Sequence, residues 1–286
     1  MFLRGITVTV PHVHPRPAPE KSSFFRGKAG YYARYRRGYP AAVFDTVVSR
    51  FALAPESGIL DLGCGTGNVA IPLAARGFHV YAVDPDPEMR EEGCRRADAG
   101  HITGISWLEG ADFTLGTLGL PPLRLCTMGL SFHWMDRPRV LLSLDTLIEP
   151  EGGIACISRN DSFLSHMQGG WGGAVKEVLR EMLGDSWDYS GHLEKKLNNE
   201  KDRYEEVFLR SPFSAVEVIR FLVREIFTVD EIIGHQLSTS YIDPVIIGER
   251  NAEFRDRLTK CLLALEPSGR FPYESTIELI IAHRPQ

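Results

Sequence analysis

The run Gly58-Ile59-Leu60-Asp61-Leu62-Gly63-Cys64-Gly65-Thr66-Gly67 constrains this chain more than any other stretch of it. An apolar strand candidate ends in glycine at three alternate positions. Backbone can adopt unusual angles there and pass close to a ligand, because no Cβ intervenes. The amphipathic run that follows starts a helix whose free N–H groups point back at the turn. A second apolar run, Val80-Tyr81-Ala82-Val83-Asp84, then closes on an acid 21 positions after Gly63. That is about the separation at which an acid reaches a ribose diol in a mononucleotide-binding half. Together the two runs predict a strand–turn–helix–strand unit with a nucleotide-type ligand at its carboxyl end.

The turn departs from the dinucleotide fingerprint G-x-G-x-x-G/A. Its third glycine falls at Gly67, Asn68 takes the last fingerprint position, and Asp61 stands two residues before the first glycine. A buried acid beside the turn repels phosphate and suits a ligand carrying an ammonium or sulfonium group. The segment DLGCGTG resembles the first motif of the class I S-adenosylmethionine-dependent methyltransferases. The resemblance implies that Gly63, Cys64, Gly65 and Gly67 approach the amino-acid part of the cofactor S-adenosyl-L-methionine and that Asp84 binds the ribose hydroxyls. It leaves Asp61 either organising the turn or meeting the ammonium group, and it sets Pro85 beside the adenine.

Short apolar runs at 58–62, 79–83, 104–108, 124–130 and 153–158 alternate with helical patterns at 67–76, 87–98 and 137–148. Alternation of this kind argues an α/β fold with a doubly wound, mostly parallel sheet. Gly77 after one helix and Gly152-Gly153 before the fifth strand mark boundaries. Residues 147–153 resemble the L-x-P-G-G turn that leads into strand five in the family. Residues 215–227 and 273–283 read as strands around helices at 229–238 and 249–265, an ending similar to the antiparallel hairpin that completes the family's seven-stranded Rossmann-like sheet. The expected organisation is a loose arm over 1–24, a cofactor-binding core over 25–160 with N-terminal covering helices, a helical lid insert over 161–212, and the end of the sheet with further lid helices over 213–286.

Composition narrows the class. With 286 residues, 43% hydrophobic and 24% charged, the chain can bury a large core. A formal charge of −5 and a pI near 6.0 lack the basic footprint of a nucleic-acid binder. Five scattered cysteines without C-x-x-C spacing indicate neither a zinc site nor a disulfide framework, and fit a reducing cytoplasm. No run nears the ~18 apolar residues that span a bilayer. The proline-rich start does not read as a cleaved signal peptide, and His12 and His14 within it read as solvated. The expected partner is a small-molecule acceptor, with no metal, no nucleic acid and no membrane; the oligomeric state is open.

Other residues join the site through the resemblance. Tyr32 to Pro40, read as Y-A-x-Y-R-x-x-Y-P, is similar to the N-terminal segment that folds over the cofactor in small-molecule methyltransferases, and places Tyr35 and Arg36 at its methionine end. A guanidinium suits a carboxylate. Residues 109–113 match the stretch after strand three that meets the adenine: Asp112 as acceptor, Ala111 and Phe113 as neighbours. Leu130-Ser131-Phe132-His133-Trp134-Met135-Asp136 resembles the acceptor-side stretch after strand four, with Ser131 on the cofactor side and His133 as the candidate base, since an imidazole titrates near neutrality. Neither N/D-P-P-Y/F nor Pro-Cys, the marks of DNA amino and cytosine C5 methyltransferases, occurs there. Leu123-Arg124-Leu125 stands where relatives often show F-D-L.

The expected activity is methyl transfer to a small molecule, in secondary metabolism. Two alternatives share the cofactor: attack on its aminocarboxypropyl chain, which leaves methylthioadenosine, and cofactor binding without turnover. A nicotinamide dehydrogenase is disfavoured by Asp61 and Asn68.

Overall fold

The computed structural model describes residues 25–160, 170–184, 203–239, 242 and 247–285. The N-terminal arm, Trp187, Tyr189, Tyr241 and much of the expected lid insert lie outside the described residues. Two helices, α1 (Ala29–Tyr35) and α2 (Ala41–Arg50), precede an alternating series: β1 (Ile59–Leu62), α3 (Ala70–Ala74), β2 (Val80–Asp84), α4 (Pro87–Ala99), β3 (Ile105–Glu109), β4 (Leu123–Gly129), α5 (Arg137–Asp145) and β5 (Ile148–Asn160). Helices α6 (Gly170–Leu183) and α7 (Tyr204–Leu209) follow, then β6 (Ala215–Thr228), α8 (Val229–Leu237), α9 (Asn251–Leu265) and β7 (Arg270–His283).

The strands form one seven-stranded sheet in the order β3-β2-β1-β4-β5-β7-β6, with β7 antiparallel to both neighbours. The α/β sheet expected from the sequence is therefore present. Alternate residues feed opposite layers, as a two-residue period requires. Ile59, Leu125 and Ala155 pack with Phe44 and Val47 of α2 and Leu73 of α3, whereas Leu60, Cys126 and Cys156 pack with Leu141 and Leu144 of α5 and Phe208 of α7. A third cluster fills the far end of the β6–β7 hairpin: Val175 and Leu179 of α6, Ile232 and Ile233 of α8, Phe254 and Leu258 of α9, against Phe227, Phe271 and Tyr273.

The order of strands reverses at β1, between β2 and β4. Ligands of open α/β sheets bind beyond the carboxyl ends of the strands at such a point.

Element ends differ from the sequence expectation where tertiary contacts decide them. Residues 27–39 read as one polar-aromatic helix up to Pro40, but α1 ends at Tyr35, because the next residues are pulled outward: Arg36 to Ser238, Arg37 to Glu231 and the carbonyl of Ile226, and the Gly38 carbonyl to Arg159. The helix expected from residue 67 begins only at Ala70. At five residues it is too short to hold its own, and forms because Ala70, Leu73 and Ala74 are buried. Strand β5 begins at Ile148, inside the expected turn, with a register shift opposite Leu123 and Leu125. Helix α4 keeps its expected start: Asp86 caps the backbone N–H groups of Glu88 and Met89, with Pro87 in the first turn.

Candidate active site

Residues 63–67 wrap the carboxyl end of β1. The N–H groups of Gly63 and Cys64 both donate to the Val83 carbonyl of β2, at 2.8 and 3.0 Å. The Gly65 N–H donates to Asp84 Oδ2 at 2.8 Å, and the Asp86 N–H to Asp84 Oδ1 at 2.9 Å. The acid at the end of β2 thus ties both loops together. Each of its oxygens keeps a lone pair, the capacity a ribose diol requires. Burial, the largest cause, raises its pKa. From α4, Arg90 donates to the Asp84 carbonyl at 2.6 Å, and Arg96 Nη1 donates to the Thr66 carbonyl at 2.6 Å and to Asn68 Oδ1 at 2.9 Å. Asn68, the residue that breaks the dinucleotide fingerprint, is part of this clamp.

The three glycines have three different reasons. Gly63 has φ +71°, and a Cβ there would stand 2.5 Å from Cβ of Ser131. Gly67, at φ +83°, would meet the Trp107 ring and Ile71 inside 3 Å. Gly65, at φ +52°, has nothing within 4 Å of such an atom. Of the three, only Gly65 has its backbone facing open space, while Gly63 and Gly67 are closed in by packing. Cys64 between them is buried, and burial pushes its thiol well above its ordinary pKa, so it stays a neutral thiol.

Asp61, 1% exposed, organises the turn: its Oδ2 accepts the N–H of Ala70 at 3.1 Å and its Oδ1 accepts the Thr127 hydroxyl at 2.9 Å. Burial raises its pKa to about 7 against those two hydrogen bonds, with nearby Asp84 adding to the rise. Ser131, expected on the cofactor side, donates its hydroxyl to the Leu62 carbonyl at 2.6 Å and holds the β4 loop against Gly63. The residue before it, Leu130, takes the left-handed φ of +54°, a local cost of order 1 kcal/mol or more.

A roof of aromatic residues lies over this end of the sheet. The Phe25 ring meets Tyr32 edge-on at 5.9 Å and Trp134 at 6.1 Å, and the Gly27 N–H donates to Glu88 of α4 at 2.6 Å. His133 lies half-buried on the short 3-10 turn Phe132–Trp134, tilted against Trp134 at 5.0 Å. Asp112 accepts the Asp136 N–H at 3.0 Å, which brings the β3 and β4 loops together, with Ala111 half-buried, Phe113 exposed and Pro85 exposed along the same rim.

Tyr35 turns toward α8: its hydroxyl donates to Asp230 at 2.9 Å and its ring covers Gly234, where a Cβ would stand 2.3 Å away. Arg36 donates Nε to Ser238 at 2.9 Å, lies 5.6 Å from the Tyr32 ring centre, and forms no ion pair among the described residues. The phenols within the electrostatic reach of Asp61 are Tyr32 and Tyr39; Tyr32 senses Asp84 as well. Tyr39 Oη comes within 3.2 Å of a Cβ built on Gly129, at the end of β4. Both lie in the segment Tyr32–Pro40 that reads from the sequence as folding over the cofactor, although only Tyr35 and Arg36 were set at its methionine end. Their signal was spacing: Tyr32 lies three residues before Tyr35 in a helix, while Tyr39 lies beyond that helix's true end.

Residues 59–152 match a family model described as a methyltransferase domain. This domain belongs to the class I S-adenosylmethionine-dependent methyltransferases. The chain is 29% identical over 143 residues to an uncharacterised methyltransferase of Mycobacterium tuberculosis, an alignment covering 48% of this chain and 53% of that protein. The chain spans about half the length of the curated relatives it first matches. A shorter likeness, 36% over 62 residues, covers 22% of this chain and 14% of a 23S rRNA (uracil(1939)-C(5))-methyltransferase of Klebsiella pneumoniae. In fold, the chain is similar to a candidate type II methyltransferase of known structure from Anaeromyxobacter dehalogenans. Their TM-score is 0.56 at 21% identity, over 87% of this chain and 98% of that one.

The family takes its methyl group from S-adenosylmethionine, and the residues present fit that molecule. Gly65 leaves an open cradle, Asp84 keeps lone pairs for a diol, Arg36 keeps a guanidinium for a carboxylate, and the acid at position 61 suits a nearby cation. No helix among the described residues is long and apolar enough to cross a membrane, and no group of metal-ligating side chains occurs among them.

Proposed function

We propose that this protein is an S-adenosylmethionine-dependent methyltransferase acting on a small-molecule acceptor. The observation that carries the reading is Asp84, buried at the end of β2 and joined by backbone N–H groups to both loops around the open face of Gly65. The bound donor supplies a methyl group on a sulfonium, and the protein's own work is to align the acceptor and keep water out. Asp84 and Gly65 would hold the nucleoside and Arg36 the carboxylate. Asp112, with Ala111, Phe113 and Pro85 beside it, would line the adenine rim, and His133 would stand on the acceptor side of the mouth.

Two observations favour a small acceptor over nucleic acid. The roof of Phe25, Tyr32 and Trp134 covers the site, and the chain's net charge of −5 gives no electrostatic footprint for a phosphate backbone. The rRNA enzyme's likeness is confined to a short stretch of that protein. In organisation, α6 and α8 would act as the lid, with the domain bounds expected from the sequence, and a cytoplasmic location fits the free thiols of all five cysteines. The test is incubation with S-adenosylmethionine and a panel of hydroxyl, amine, thiol and carboxylate acceptors, with both products followed by mass. Accumulation of S-adenosylhomocysteine with a methylated acceptor is expected; methylthioadenosine in its place would contradict methyl transfer.

A further inference from the structure

Strand β6 ends the sheet, and the bonds of its neighbours show which way its backbone faces. The Leu130 N–H takes the Ile157 carbonyl at 2.9 Å, so the odd-numbered residues of β5 turn their backbone groups toward β4. Its even-numbered residues face β7. Registers without a shift carry this alternation across the sheet, Cys156 opposite Ile280 and Ile280 opposite Val218, so on β6 the odd-numbered residues bond to β7 and the even-numbered ones point off the edge. Two residues agree. Pro272, with no N–H to give, stands opposite Ile226, and the Ile226 carbonyl is taken by Arg37 at 2.8 Å. Among the described residues, no other group takes the outward N–H and C=O of Val216, Val218, Arg220, Leu222 or Arg224.

A sheet edge is ordinarily guarded by prolines, bulges, short strands or free charges, because open backbone groups template pairing with another chain. β6 lacks these guards. It runs 14 residues without a proline or a register shift, and Arg220 and Arg224 lean back onto Glu278 and Glu274 of β7, at 2.7 and 2.8 Å. Leu222 between them is 56% exposed. On the other face, Ile219, Phe221 and Val223 are only partly buried. The opposite edge of the sheet, β3, is five residues long.

We propose that β6 is the seam of a dimer, pairing antiparallel with β6 of a second copy of this chain about a two-fold axis at Phe221. The strand is complementary to itself in that register. Ile219 faces Val223 of the second copy and Phe221 faces its counterpart, an unbroken apolar row, while on the other face Arg220 meets Leu222 and Val218 meets Arg224. Moving the axis by one residue either way sets arginine opposite arginine, and by two sets Phe221 opposite a glutamate. At the ends Glu217 faces Glu225, but each already holds an arginine, Arg50 at 2.6 Å and Arg159 at 3.0 Å. The outward groups from Val218 to Arg224 all find partners, and pairing stops where Arg37 holds the Ile226 carbonyl. A two-fold seam uses up the edge and closes the assembly at two.

The test is sedimentation equilibrium of the full chain, with amide exchange followed by NMR. The native chain is expected at twice its mass of 32.0 kDa. On dilution of the dimer, the N–H groups of Val218, Arg220, Leu222 and Arg224 are expected to exchange at least tenfold faster, while those of Ile219, Phe221 and Val223, held by β7, change little. Leu222→Pro removes an outward N–H without touching the β7 ladder, and is expected to keep the parent's circular dichroism and sediment at 32.0 kDa. Should that variant not fold, the exchange pattern of the native chain decides. A single-chain mass at every concentration, outward amides protected in a monomer by pairing with residues 1–24, a dimer whose outward amides exchange freely, species that grow beyond two, or a folded Leu222→Pro protein that still dimerises would each overturn the proposal.

Discussion

The Asp61 carboxylate accepts the Thr127 hydroxyl at 2.9 Å, joining β1 to β4, while its other oxygen caps the start of α3 at Ala70. The acid beside the turn is therefore a structural knot first and a charge second. Its raised pKa sets a sign. Well below the ordinary value of 3.8, the folded and unfolded chains both hold the proton. Between the ordinary value of 3.8 and about 7 only the folded chain does, so stability falls as pH rises through that window and levels off above it. Asp61→Asn keeps an oxygen for Ala70 and an amide for Thr127 Oγ1. In the unliganded protein it is expected to raise the midpoint of thermal unfolding at pH 8 and to leave it little changed at pH 4. A variant that melts lower at pH 8 would contradict this.

The glycines separate in the same kind of experiment. Gly63→Ala and Gly67→Ala push a Cβ into Ser131 and Trp107, and each is expected to cost about 1–3 kcal/mol of folding stability. Gly65→Ala meets open space and is expected to cost about 1 kcal/mol from backbone strain alone. It is nonetheless expected to weaken S-adenosylhomocysteine binding at least tenfold, because the added methyl fills the cradle. Denaturant melts and calorimetry on the three variants give both numbers.

Tyr35 and Gly234 hold the N-terminal segment to α8. Gly234→Ala sets a methyl 2.3 Å from the Tyr35 ring and is expected to destabilise the fold by roughly 1–3 kcal/mol. Tyr35→Phe removes only the bond to Asp230 and is expected to cost about 1 kcal/mol. Equal losses from the two changes would show that the ring contact does not matter.

The strand–turn–helix–strand unit was legible because its signals are local: an apolar run, glycines at special angles and an acid closing the second strand. Five of the sheet's strands were legible from alternation, and the closing pair from two apolar runs whose arrangement resembles the family's ending. What the sequence could not display was the assignment of partners. Nothing local distinguishes Gly65, which opens on space, from Gly63, which is stopped by Ser131 from a loop 68 residues away. Helix α1 ends early because Arg36 and Arg37 find partners on α8 and β6, and that turns Tyr35 toward Asp230 while Tyr32 and Tyr39 border the acids.

The central claim is that the open face of Gly65 and the Asp84 carboxylate form a nucleoside site, and calorimetric titration with S-adenosylhomocysteine tests it most directly. The native chain is expected to bind one equivalent. Asp84→Asn, which keeps one acceptor oxygen and loses the charge, is expected to bind roughly tenfold to a hundredfold more weakly, the worth of a charge-assisted hydrogen bond or two. Equal affinity of the two proteins, or no heat from the native chain, would contradict the account.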